Sequence, residues 1–155
     1  MFENIIGNDK IKNELTNLVK QNKYSHSYIF HGTEGIGKKL IAKEFAKMIL
    51  CLGEEKYCNT CKSCLEFLSN NNPDFYEIIP DGNNIKIEQI REMQKKVVEQ
   101  PIISKNKVYI IDNADLMTRE AQNCLLKTLE EPPEFVTIIL IGSNESNFLS
   151  TIKSR

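Results

Sequence analysis

The chain has no tryptophan, no marked excess of either charge and no apolar run long enough to cross a bilayer. Each absence narrows the reading. A net charge of −1 over 155 residues gives no overall positive field to draw the chain onto nucleic acid or an anionic membrane. The densest apolar stretch, Ile138-Ile139-Leu140-Ile141, is strand-sized and falls far short of the ~20 residues of a spanning helix. The first residues, Met1-Phe2-Glu3-Asn4-Ile5-Ile6-Gly7, lack the basic start and apolar centre of a secretory signal. A cytoplasmic location and no membrane partner are expected. The missing tryptophan accompanies abundant Lys and Asn, a bias of base composition rather than of mechanism. There is no internal repeat and no dividing linker, so the length corresponds to one domain with a real core.

What is present alternates. Residues from about Asp9 to Gln21 place Ile11, Leu15, Leu18 and Val19 at helical spacing. Ser27 to His31 reads as a short strand entering a glycine-rich turn, and Lys38 to Leu50 returns to helical periodicity through Ile41, Phe45, Met48 and Ile49. A short helix is predicted from Lys62 to Leu68. A strand from Asp74 to Ile79 is bracketed by Pro73 and Pro80, and Asp81-Gly82-Asn83-Asn84 forms a turn. Ile87 to Val98 is a helix with Ile90, Met93 and Val97 on one face. Lys107 to Asp112 is a strand whose unbroken apolar run suits a sheet covered on both sides. Thr118 can cap a helix carrying Ala121, Leu125, Leu126 and Leu129 inward, which Pro132-Pro133 ends before a last strand from Phe135 to Ile141. Alternation of this kind predicts an α/β fold, a mostly parallel sheet flanked by helices.

The first strand–turn–helix unit contains Gly32-Thr33-Glu34-Gly35-Ile36-Gly37-Lys38-Lys39. This fits G-x-x-x-x-G-K, in which Gly32, Gly35 and Gly37 let backbone N–H groups wrap phosphate and Lys38 neutralises it at a helix N-terminus. The final Ser or Thr, whose hydroxyl ligates Mg²⁺, is replaced by Lys39. A charged lysine has no lone pair to offer and adds a second cation. After the third strand, Asp112 stands where an aspartate would hold magnesium. The next position, where a glutamate would orient the attacking water, is Asn113, which cannot act as a base. Asp115 is a candidate substitute base or, more simply, a helix-initiating residue. Two lesions in one site weigh against ordinary ATP hydrolysis and leave ATP or ADP as a candidate structural ligand.

Four of the five cysteines, Cys51, Cys58, Cys61 and Cys64, follow C-x6-C-x2-C-x2-C. In a reducing compartment such clustering favours a metal over disulfides. Four thiolates close a tetrahedral zinc shell, whereas the Cys-Pro ending of a ferredoxin-type iron–sulfur motif is absent. A structural zinc module over about 51–64 is therefore expected. Cys124 reads as a small buried hydrophobe.

Taken in order, these elements resemble bacterial DNA polymerase III clamp-loader subunits of the AAA+ superfamily. Asn123 with Cys124-Leu125-Leu126-Lys127-Thr128-Leu129-Glu130-Glu131-Pro132-Pro133 is similar to the family's N-x-L-L-K-x-L-E-E-P-P helix. Ser25-His26-Ser27-Tyr28-Ile29-Phe30 resembles its H-A-Y-L-F strand, Asn72-Pro73-Asp74-Phe75 its H-P-D-F strand entry, and the four cysteines its inserted zinc module. Thr151-Ile152-Lys153-Ser154-Arg155 looks like the start of its S-R-C motif, which would make Arg155 an arginine finger toward a neighbouring subunit's ATP. Ser143 and Asn144 fall where a sensor residue would touch a γ-phosphate.

The resemblance implies an AAA+ P-loop core over 1–155 with strand order 5-1-4-3-2. A fifth strand, a helical lid and a collar would lie beyond this N-terminal piece, leaving the edge of the phosphate-loop strand open. Of the family's subunit types, gamma/tau keeps G-K-[ST] and D-E whereas delta-prime often loses them, so Lys39 and Asn113 point to the delta-prime type. Such a subunit acts as a mostly non-catalytic stator beside gamma/tau and delta subunits, and meets the sliding clamp and primed DNA indirectly. The alternative is an ATP-hydrolysing gamma/tau-type motor that recruits magnesium through Asp112 and water. A zinc-dependent DNA-binding module is a third reading, which the near-neutral charge does not support.

Overall fold

The computed structural model describes residues 9–31, 37–54, 58–143 and 148. Its sheet is built from β1 (Ser27–His31), β2 (Phe75–Ile78), β3 (Lys107–Ile111) and β4 (Val136–Gly142). All neighbours are parallel and, among the described residues, the order is β1-β4-β3-β2. The register places Ile29 beside Leu140 and Ile110 beside Ile139. Among the described residues β1 pairs only with β4, which makes β1 and β2 the two edges.

Pleating divides the apolar strands between two cores. Val108, Ile110, Ile139 and Ile141 meet α1 (Asp9–Lys20) and α2 (Lys38–Leu50), while Tyr109, Ile111, Ile138 and Leu140 meet α4 (Ile87–Val97) and α5 (Arg119–Glu130). β3 and β4 are buried throughout because both faces are covered, which is why their sequences run apolar without alternation. From α1, Leu15 and Val19 are buried and Leu18 packs against the same cluster; the side chain of Ile11 lies outside the described residues. Phe45 of α2 is fully buried, edge-on to Tyr28 at 5.0 Å and stacked with Phe30 at 6.4 Å. This contact fixes the helix to the strand it follows. Among the described residues no helix is long and apolar enough to cross a membrane.

Several boundaries differ by one residue from the sequence reading. β2 begins at Phe75 because Asp74 is engaged elsewhere. Its fully buried carboxylate accepts the N–H groups of Ile102, Ile103 and Ser104 at 2.6, 2.8 and 2.7 Å. Thr118 caps α5 as expected, accepting from the N–H of Ala121 at 3.1 Å. Leu126 is only partly buried. Cys124 is likewise not a plain buried hydrophobe, because its thiol donates to Gln94 Oε1 at 3.1 Å and ties α5 to α4.

Candidate functional site

In a parallel sheet all strands end on one side, and binding sites collect at that carboxyl edge. Here the ends of β3 and β4 and the start of α2 enclose a cleft of about 340 Å³ lined by residues of these three segments. Gly37 enters α2 in the left-handed region, φ 78° and ψ 23°, where a side chain would be strained. Among the described residues no side chain caps the helix, and the positive end of its dipole lies at the cleft. Lys38 reaches across to the carbonyl of Gly142 at 3.3 Å and to Ser143 Oγ at 3.0 Å. Gly142 has little room for a side chain, since a Cβ there would lie 3.0 Å from the Phe148 ring and 3.1 Å from Asp115 Oδ1. Asp115 itself belongs to a 3₁₀ turn, Ala114–Leu116, and not to the start of α5.

Lys39 does not point idly to solvent. Its Nζ lies 3.0 Å from Glu77 Oε2 and 3.3 Å from Asp112 Oδ2, and Lys43 holds the other Glu77 oxygen at 3.1 Å. Burial works to lower the Lys39 pKa, but the bonds and charge of Glu77 and then Asp112 outweigh it and raise the ammonium above its ordinary value. Burial likewise pushes Glu77 upward, and the two lysines overcome it and hold the carboxyl below its ordinary range. Side-chain exposure of 41% for Lys39 limits each of its pairs to about 1 kcal/mol or less. Two positive and two negative groups thus neutralise one another where the sequence places the magnesium ligand. These residues do not fit a divalent ion.

Asn113 lines the same cleft with left-handed backbone, φ 51° and ψ 45°, a conformation asparagine adopts more readily than glutamate. Its N–H donates to Asp112 Oδ1 at 3.0 Å. The structure therefore gathers Gly37, Lys38, Lys39, Asp112, Asn113 and Ser143. Gly32, Gly35, Asn144 and Arg155 lie outside the described residues. Glu77 and Lys43 were missed from sequence. The signal was there in the i,i+4 spacing of Lys39 and Lys43 on one helix face, together with a lone acid inside β2.

The cysteines form the second cluster. The Sγ atoms of Cys51, Cys58, Cys61 and Cys64 all lie within 4.8 Å of one another, with Cys51 at 3.6 Å from Cys58 and 4.0 Å from Cys61. A tetrahedral zinc shell with Zn–S of ~2.3 Å requires S···S edges of about 3.8 Å, so the donor set fits that ion. None of the four is joined in a disulfide. Backbone N–H groups of Leu52, Gly53, Cys61 and Cys64 point at Cys61, Cys51, Cys58 and Cys61 respectively, at 3.3–3.4 Å. The N–H groups of Thr60 and Cys61 lower the Cys58 thiol to about 6, favouring the thiolate that a metal needs. Burial opposes the same effect at Cys61, which still falls below its ordinary value, and it prevails at Cys51 and Cys64, which are raised. The cluster is anchored to the core through α3 (Lys62–Leu68). Phe67 packs on Phe75 at 4.7 Å, and Asn72 donates to the carbonyl and hydroxyl oxygens of Ser63 at 2.9 and 3.0 Å.

This sheet order and cleft define a P-loop NTPase-type α/β domain. The P-loop NTPase domain of a sigma-54 transport activator from Escherichia coli superposes with a TM-score of 0.52 over 96% of this chain and 91% of that one, at 13% identity. A gamma subunit-related protein of DNA polymerase III from Thermotoga maritima gives a TM-score of 0.64 over 91% of this chain and 43% of that one, at 27% identity. The family model described as "DNA polymerase III, delta subunit" matches residues 7–155, and the chain belongs to that family. It is 39% identical to the Bacillus subtilis DNA polymerase III subunit delta′ over 142 residues, which is 91% of this chain and 43% of that protein. It is 36% identical to the Haemophilus influenzae subunit tau/gamma over 156 residues, 99% of this chain and 22% of that protein. The chain thus spans less than half the length of these relatives.

Proposed function

We propose that this chain is the AAA+ core of a delta-prime-type subunit of the DNA polymerase III clamp loader, a stator that does not hydrolyse ATP itself. The observation that carries the reading is the Lys39 ammonium lying between Glu77 and Asp112, where a hydrolytic site needs a metal. Asn113 supports it, because no carboxylate at that position can orient water. Lys38, Gly37 and the N-terminus of α2 still offer a place for phosphate, and in the complete P-loop Gly32 and Gly35 would add backbone donors. Ser143 and Asn144 would face the terminal phosphate.

In this reading the subunit contributes to its neighbour rather than to itself. Arg155 would enter the ATP site of an adjoining gamma/tau subunit and stabilise charge as the phosphoryl group transfers, an effect worth about 10³–10⁵ in rate for arginine fingers. The delta subunit would be a further partner, and the sliding clamp and primed DNA would be met through the assembly in the cytoplasm. Zinc held by Cys51, Cys58, Cys61 and Cys64 would serve as a structural staple for the insertion. The fifth strand, lid and collar of the full-length protein would complete the domain and cover the β1 edge. A second reading, a hydrolysing gamma/tau-type motor, draws on the similarity to tau/gamma and on the presence of Lys38 and Asp112. The test is steady-state MgATP hydrolysis by the isolated full-length protein. The stator gives no turnover above background; turnover abolished by Lys38→Ala would make the chain a motor.

A further inference from the structure

We propose that Lys39 is a tethered replacement for the divalent ion, so that the cleft takes the diphosphate group of a nucleotide without metal. This rests on the non-catalytic reading of the site and adds what the site binds and under which condition. The Lys39 ammonium holds two carboxylates, Asp112 in the cleft wall at 3.3 Å and Glu77 behind it on β2 at 3.0 Å. Lys43 fixes the far oxygen of Glu77 at 3.1 Å, so the carboxylate that positions Lys39 is itself positioned. A magnesium ion bound to the same Asp112 oxygen at its usual ~2.1 Å would lie no more than about 5.4 Å from Nζ. It would have to displace the ammonium or share Asp112 with it.

The cleft has the remaining requirements for an anion. Lys38 stands across it with Nζ on the Gly142 carbonyl and Ser143 Oγ, contacts that a phosphate oxygen can replace. The start of α2, entered through Gly37, adds backbone donors. A metal-bound nucleotide carries its cation in; a metal-free one finds a cation already built into the wall. Lys39 offers a third ammonium proton beyond the two directed at Glu77 and Asp112. The ligand class is therefore a nucleoside di- or triphosphate free of Mg²⁺, bound as a structural or regulatory ligand rather than a substrate.

The experiment is equilibrium binding of ADP, ATP and pyrophosphate to the full-length protein, in excess Mg²⁺ and in EDTA. The expected result is nucleotide affinity that changes by less than about twofold between the two conditions. Lys39→Thr should make binding Mg²⁺-dependent by about tenfold or more, and Lys39→Arg, which keeps the cation, should not. Binding of ADP but not pyrophosphate identifies a nucleotide site, whereas equal binding of pyrophosphate reduces it to a diphosphate site and leaves the tethered-cation claim standing. The claim is overturned by wild-type binding that magnesium strengthens about tenfold, by no binding in either condition, or by a Lys39→Thr protein that stays indifferent to magnesium while folded by circular dichroism. Magnesium-dependent binding without turnover removes this inference alone. Magnesium-dependent binding with turnover removes the stator reading as well.

Discussion

Asp74→Ala is the substitution for which the structure gives the most definite cost. The carboxylate is fully buried at the entry to β2 and accepts three consecutive backbone N–H groups, from Ile102, Ile103 and Ser104. That clamp shapes the loop before β3. The same loop sends Ser104 Oγ to the carbonyl of Leu50 at 2.9 Å and the Asn106 amide to Tyr24 at 3.0 Å, so it links the end of α2 and the segment between α1 and β1 as well. Hydrogen bonds to a charged acceptor contribute about 1.5–3 kcal/mol each, and three would sum to roughly 4.5–9 kcal/mol if they were independent. They are not independent, because one side chain makes all three, and the loop is exposed enough (Ile102 is 71% exposed) for water to reach its donors after truncation. A loss of about 3 kcal/mol is the expected outcome, a large part of the 5–15 kcal/mol typical of a domain. At this chain length it corresponds to a fall in Tm of roughly 6–12 °C. Urea titration and thermal melts of the full-length protein measure it. A loss below about 1 kcal/mol would show that the three bonds do not organise the loop, and the reasoning would fail.

The Glu77–lysine cluster makes a pH prediction. The Glu77 carboxyl is held below its ordinary value, so its contribution is present above about pH 4.3 and is lost as pH falls through the lower folded value. Glu77→Gln should therefore flatten the acid limb of stability below that pH by up to about 1 kcal/mol, and an unchanged limb in urea titrations at pH 3–5 would contradict the pairing. The cysteine cluster should hold one zinc ion per chain by elemental analysis and release it on acidification, because protons compete with the metal for the four thiolates. Cys64→Ser should abolish stoichiometric zinc and loosen α3, read as faster amide exchange across residues 58–71; full zinc occupancy in that variant would count against a four-thiolate site.

Much of the fold was legible because its punctuation is chemical. Prolines 73, 80, 132 and 133 and the glycines after β1 bound the elements, and the unbroken apolar runs of β3 and β4 announce a sheet covered on both faces. The cysteine spacing is local, so its convergence could be read directly. Glu77 was legible only in part: the i,i+4 lysines and the lone acid in β2 are local, but their meeting depends on the edge position of β2 and on how α2 lies over the strand ends, both of which come from long-range pairing. Lys107 shows the same limit. A lysine at the start of a strand reads as solvated, yet it is 1% exposed, donating to the carbonyls of Lys96 and Glu99 at the end of α4 at 2.5 and 3.1 Å. Such a cation at a helix C-terminus is favourable for its dipole, but only the packing of α4 on β3 brings the two together.

The stator role is tested most directly through Arg155. In a clamp-loader assembly reconstituted from full-length subunits, single-turnover ATP hydrolysis would be measured at the site adjoining this chain, with the other sites disabled. Arg155→Ala should lower that rate by about 10³–10⁵ while the assembly still forms and still binds ATP. A rate unchanged by Arg155→Ala would contradict the stator role and leave this chain without a part in its neighbour's chemistry.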